Sequence, residues 1–181
     1  VLISDYVPIV YVGSGARMYR TSTSAVAASS GANLMPTSFF SVIGAETDDI
    51  TCDLTNGKFT VSQSDWYHVS FRVGLDQDTS IGATSVGSLA PYPMDMVLYR
   101  NGSVEKYVGE QLRFTAYDVG PVSGLRVQAP GAASGSASIY LVAGDYVQLG
   151  YDANASSGSA FRGEATGTKT WIEIARTIGD V

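Results

Sequence analysis

The chain has 181 residues, enough for one domain with a buried core. With 45% hydrophobic and 15% charged residues it is not a charge-rich disordered chain, and a net charge of −6 gives no default attraction to nucleic acid or anionic membrane. Cys52 is the only cysteine, so neither an intrachain disulfide nor a multi-cysteine zinc site can form.

The opening stretch, "VLISDYVPIVYVGSG", is apolar but interrupted by Asp5 and Pro8, and no basic region precedes it. It therefore reads as an extended arm over residues 1–15, not as a signal peptide. Ile3, Val7, Ile9 and Val10 are too apolar to hang free, and they are expected to dock the arm onto a neighbouring subunit or a larger assembly. No run approaches the ~18 apolar residues of a bilayer span, so no membrane insertion is expected.

"STSAVAASSGAN" lacks an i, i+3, i+4 apolar stripe and is expected to be loop. Beyond it, period-2 alternation recurs. In "DITCDL", Cys52 alternates with Ile50 and Leu54 and reads as a small buried hydrophobe. "GKFTVSQSDW" places Phe59 and Val61 before a polar turn. "WYHVSFRVG" puts Tyr67, Val69, Phe71 and Val73 on one face and His68, Ser70 and Arg72 on the other, the pattern of a half-buried antiparallel strand.

Residues 74–93 read as a long loop. "PMDMVLYRNGSVEKY" then alternates Met94, Met96 and Leu98 with Asp95, Val97 and Tyr99, and Asn101-Gly102 supplies a two-residue hairpin turn. Residues 119–136 read as a second Gly/Ser/Ala/Pro loop. "SASIYLVAGDYVQLGYD" gives Ile139 and Leu141, a Gly-Asp turn, then Val147, Leu149 and Tyr151. Gly144 permits the turn's dihedral and Asp145 can bond the turn's own amides. The final strand, "TKTWIEIARTI", sets Ile172 and Ile174 against Trp171 and Glu173. Short strands separated by turn signals predict an all-β, two-sheet antiparallel jelly-roll sandwich.

Few residues offer chemistry. His68 is the only histidine, so a triad or a Cys–His pair would have to run through it. Its place mid-strand on a polar face suits an outward residue or a subunit contact better than a general base. Asp48 and Asp49, or Asp76 and Asp78, could ligate Ca²⁺ from a loop, but neither pair has EF-hand spacing, and solvated loop charge is the favoured reading. No cofactor is expected. The arginines are scattered, which argues against nucleic-acid binding. Tyr140 has the opposite parity to Ile139 and Leu141 and so faces outward. Tyr92, in "APYPMD", and Phe161, in a Ser/Gly-rich loop, are candidate exposed ligand contacts.

"ARMYR", "GKFTVSQSDWYHVSFRV", "MVLYRNGSV", "SGSASIYLVAGDYVQLGYD" and "TWIEIART", in that order, resemble the C1q-like domain of the C1q/TNF-like jelly rolls over residues 16–181. The resemblance implies a homotrimer packed through one sheet around a three-fold axis, with His68 and Tyr140 as candidate interface residues. Asp65-Trp66-Tyr67 and Trp171-Ile172-Glu173-Ile174 depart from the family's usual pattern, and residues 1–15 carry no Gly-X-Y repeat of a collagen-like stalk. In style the chain is similar to divergent C1q-like domains of bacteriophage virions. The expected function is a non-enzymatic, trimeric capsid-decoration, fibre or host-attachment protein on a virion surface. Its arm would contact other virion proteins, and a host glycan is a possible ligand. The alternatives are a secreted recognition module for glycan or protein and, third, a glycan hydrolase.

Overall fold

A computed structural model of the chain describes residues 13–77, 94–110, 131–153 and 159–177. Thirteen strands are found among them and no helix. In chain order these are β1 (Gly15–Tyr19), β2 (Val26–Ala27), β3 (Gly31–Leu34), β4 (Val42–Glu46), β5 (Ile50–Asp53), β6 (Lys58–Val61) and β7 (Asp65–Gln77). After them come β8 (Met94–Arg100), β9 (Ser103–Glu110), β10 (Gly131–Leu141), β11 (Tyr146–Ala153), β12 (Ser159–Arg162) and β13 (Trp171–Arg176).

They form two antiparallel sheets. The first runs β2-β12-β7-β13-β1-β4, with β10 also paired to β7; the second runs β5-β6-β11-β8-β9, with β3 added to β11. Alternation decides what lies between them. From β7 the core receives Tyr67, Val69, Phe71 and Val73, and from β13 it receives Ile172 and Ile174, as the sequence pattern predicts. The second sheet answers with Phe59, Val61, Met96, Leu98, Val147 and Leu149. Each fully buried side chain of this size stabilises the fold by about 1.5–3 kcal/mol relative to exposure.

Both expected turns are present. Asn101 and Gly102 have φ of 50° and 79° between β8 and β9, and Gly144 has φ of 92° between β10 and β11. The Val142 amide donates to Asp145 Oδ2 at 2.8 Å, so Asp145 does bond its own turn. It also reaches the neighbouring hairpin. Arg100 donates to Oδ2 through Nε at 3.0 Å and Nη2 at 2.6 Å, and Asn101 Nδ2 donates to Oδ1 at 2.7 Å. These hydrogen bonds and the Arg100 charge hold the Asp145 carboxyl below its usual value, led by the Asn101 bond.

Three expected loops need correction. Residues 131–136 belong to β10, residues 74–77 to β7, and the "STSAVAASSGAN" segment contributes β2 and opens β3. Small residues concealed the start of β10 because they lack the β-branched and aromatic side chains that mark a strand, and 74–77 and β2 are too short to show a period. In β10 their smallness has a use. A Cβ on Gly135 would collide with the Val108 carbonyl, and one on Gly109 would lie 2.7 Å from the Ser134 oxygen. Only glycine lets the edge strands β9 and β10 close the sandwich this tightly.

Candidate functional site

The outward face of the first sheet is assembled by register. On β7 the residues alternating with the core set are Trp66, His68, Ser70 and Arg72. Opposite them on β10 stand Tyr140, Ser138, Ser136 and Ser134. On the other side, β13 sets Ala175, Glu173 and Trp171 against His68, Ser70 and Arg72, and β1 sets Arg17 and Tyr19 against Glu173 and Trp171. Lateral rows result: Ser138–His68–Ala175, Ser136–Ser70–Glu173–Arg17, and Ser134–Arg72–Trp171–Tyr19.

Aromatics mark the ends of this face and small polar residues its middle. Trp66 and Tyr140 are 53% and 46% exposed and meet edge to face, with ring centroids 5.8 Å apart. At the opposite end the Arg17 guanidinium lies over Trp171, 4.9 Å from the ring centre. Between them Ser70 Oγ donates to Glu173 Oε1 at 2.8 Å, and Arg17 Nη1 lies 4.0 Å from Glu173 Oε2. Glu173 is thus paired within the face, while Arg72 stands exposed in the row between Ser134 and Trp171.

His68 and Tyr140 therefore lie on one face, in the rows that cross β7 and β10, and both are exposed. His68 Nδ1 lies 3.3 Å from Ser138 Oγ. Cys52 is on β5, in the other sheet. Burial, and then the nearby Glu46 carboxylate, push its thiol up to about 12, so it is protonated at neutral pH and a poor nucleophile.

Asp49 is engaged structurally. Its carboxylate accepts from Ser14 Oγ and from Thr47 Oγ1, the latter at 2.7 Å, and Arg176 Nη1 lies 3.6 Å away. Burial alone would raise this carboxyl, but the hydrogen bonds and the Arg176 charge carry it below its usual range. Asp48 is exposed. Among the described residues no group of three or more His, Cys, Asp or Glu is placed to hold a metal ion.

Phe161 requires correction. It is not an exposed loop residue: β12 carries it into the core with 0% exposure, 5.8 Å from the Phe39 ring centre and 4.8 Å from that of Tyr151. The short strand pairs with both β2 and β7, which turns the aromatic inward. Asp76 lies on β7, its backbone opposite Ala160, while Asp78, Tyr92 and the arm residues Ile3, Val7, Ile9 and Val10 lie outside the described residues. The rest of the face, above all the serine column of β10, escapes sequence reading because a Ser/Gly/Ala run carries no hydrophobic period. Its Ser-x-Ser-x-Ser spacing was the available signal.

No family model matches the chain, and no curated protein does. Solved structures do. The Eiger TNF of S. frugiperda aligns over 92% of this chain and 94% of its own, with 16% identity and a TM-score of 0.56. Murine APRIL at pH 5.0 aligns over 91% and 98%, with 12% identity and a TM-score of 0.49. The fold is the C1q/TNF-like jelly roll.

Proposed function

We propose that the chain is a non-enzymatic homotrimeric structural protein of a bacteriophage virion surface, a capsid decoration, fibre or host-attachment component. The outward face of the first sheet is its subunit contact. The observation that carries this reading is the build of that face: the exposed Trp66–Tyr140 pair, a column of small serines on β10, and Glu173 met within the face by Arg17. Amphipathic aromatics beside small polar residues suit a contact between identical copies. His68 and Ser138 fall within the buried zone of such a contact. The weakly charged, cysteine-poor composition and the apolar residues Ile3, Val7, Ile9 and Val10 support assembly with other virion proteins.

Sedimentation velocity at micromolar concentration is expected to give a single trimeric species; a stable monomer overturns the subunit contact. Immunogold electron microscopy of purified particles is expected to label the virion surface, and unlabelled particles overturn the location. The runner-up, a secreted recognition module for glycan or protein, draws support from the likeness to Eiger TNF along nearly the whole chain. It predicts the same trimer with no labelled particle.

A further inference from the structure

The outward face of the second sheet is built differently. Its rows also follow from register. Tyr107 on β9 is opposite Val97 on β8, Val97 is opposite Gly150 on β11, and Gly150 is opposite Leu34 on β3. One row further along, Asp95 on β8 is directly opposite Asp152 on β11. In the other direction Val104 is opposite Tyr99.

This face is apolar where a solvated sheet is ordinarily polar. Val97 is fully buried and Tyr99 only 7% exposed, yet both stand apart from the core cluster, and the Tyr99 ring lies over Gly150. Around them Tyr107, Val104 and Leu34 are 56%, 46% and 38% exposed. The Asp95–Asp152 pair adds negative charge beside this stripe. Like charges directly opposite each other in a sheet are destabilising, and among the described residues no Lys or Arg pairs with either. Tyr107 Oη donates to Asp152 Oδ2 at 3.2 Å, an exposed contact that leaves the carboxylate able to accept more. Lys58, on β6, is taken by Asp53 at 3.7 Å.

We propose that this face docks an extended segment of a partner protein that carries a lysine or arginine two positions from an apolar side chain. The cation sits between Asp95 and Asp152, and the apolar group lies against the exposed Tyr107 and Leu34 side chains that flank the buried Val97 and Gly150. The spacing supports it. Adjacent same-face rows of a sheet, and residues i and i+2 of an extended chain, are both separated by about 6.6 Å. A segment running along the strands therefore matches carboxylate row to cation and apolar row to apolar side chain. The cation relieves the like-charge opposition, and the apolar group removes exposed surface from water.

The test is to screen the whole protein against a random dodecapeptide library. Enriched peptides are expected to share a Lys or Arg two positions from an aliphatic or aromatic residue. Binding of the best such peptide is expected to weaken at least about tenfold in the double variant Asp95→Asn/Asp152→Asn and in Tyr107→Ser, to fall at high salt, and to stay unchanged in Trp66→Ala/Tyr140→Ala. No enrichment, or enriched peptides without a basic residue, overturns the proposal. So does a selected peptide whose binding is lost with Trp66 and Tyr140 but not with the carboxylates. Thermal melting of each variant separates loss of binding from loss of folding.

Discussion

The two outward faces of this sandwich obey the same alternation and differ in what their rows do with charge. On the first sheet Glu173 is met by Arg17 and Ser70, and the aromatics stand at the ends of rows that hold the β10 serines, His68 and Arg72. On the second sheet an apolar row crosses four strands, exposed at Tyr107 and Leu34 and buried at Val97 and Gly150, beside two carboxylates that no described cation meets. Alternation says only that a residue points away from the core. Register decides which residues from different strands become neighbours, and those neighbours decide whether a face's acid is met by a base, as Glu173 is, or set against another acid, as Asp95 is.

Both faces rest on one core, so the largest effect that can break the comparison is a cavity beneath them. Phe161→Ala removes a ring packed against Phe39 and Tyr151. It is expected to cost about 3–5 kcal/mol. Chemical denaturation should report that loss whether or not any ligand is present. A variant of unchanged stability would place Phe161 back on the surface.

The next effect separates the faces. Trp66→Asp/Tyr140→Asp puts two charges into the first face where an apolar contact between copies is proposed. Dissociation of the trimer is expected to rise at least about a hundredfold, or about 3 kcal/mol, which sedimentation equilibrium would read. The monomer's fold should survive, since both side chains are about half exposed. An unchanged trimer would move the subunit contact off this face.

How much of this was legible in the sequence follows from which signals period and propensity carry. Tyr67, Val69, Phe71, Ile172 and Ile174 announced their strands because large apolar residues alternated with polar ones, and the Asn101-Gly102 and Gly144-Asp145 turns stood out because their dihedrals demand those residues. The outward parity of Tyr140 was legible for the same reason. The β10 serines were not: they lie in a stretch without hydrophobic period, paired to β7 by a long-range backbone ladder, and its small residues leave room for β9. Phe161 was misjudged because the flanking Ser/Gly composition suggested a loop, whereas pairing with β2 and β7 is a long-range fact. The Asp95–Asp152 opposition joins residues far apart in the chain, and no local pattern fixes that register.

The smallest expected effect concerns the turn that joins the two sheets. Asp145 links the β10–β11 turn to Arg100 and Asn101 at the end of β8, and so ties a strand of the first sheet to the hairpin of the second. Asp145→Asn keeps one acceptor oxygen but loses the charge that Arg100 grips, a loss of about 1–2 kcal/mol. The carboxyl is held below its usual value in the folded chain, led by the Asn101 bond and then the Val142 amide. Its contribution is therefore fully present above the unfolded pKa of about 3.9 and is lost as pH falls through the lower folded value. The melting temperature of the variant should lie about 2–6 °C below that of the native chain at pH 6, and the gap should close progressively below about pH 4. A gap that stays constant to low pH would show that Asp145 acts through shape and not through its charge, leaving the turn to backbone bonds such as that from the Gly144 amide to the Val61 carbonyl.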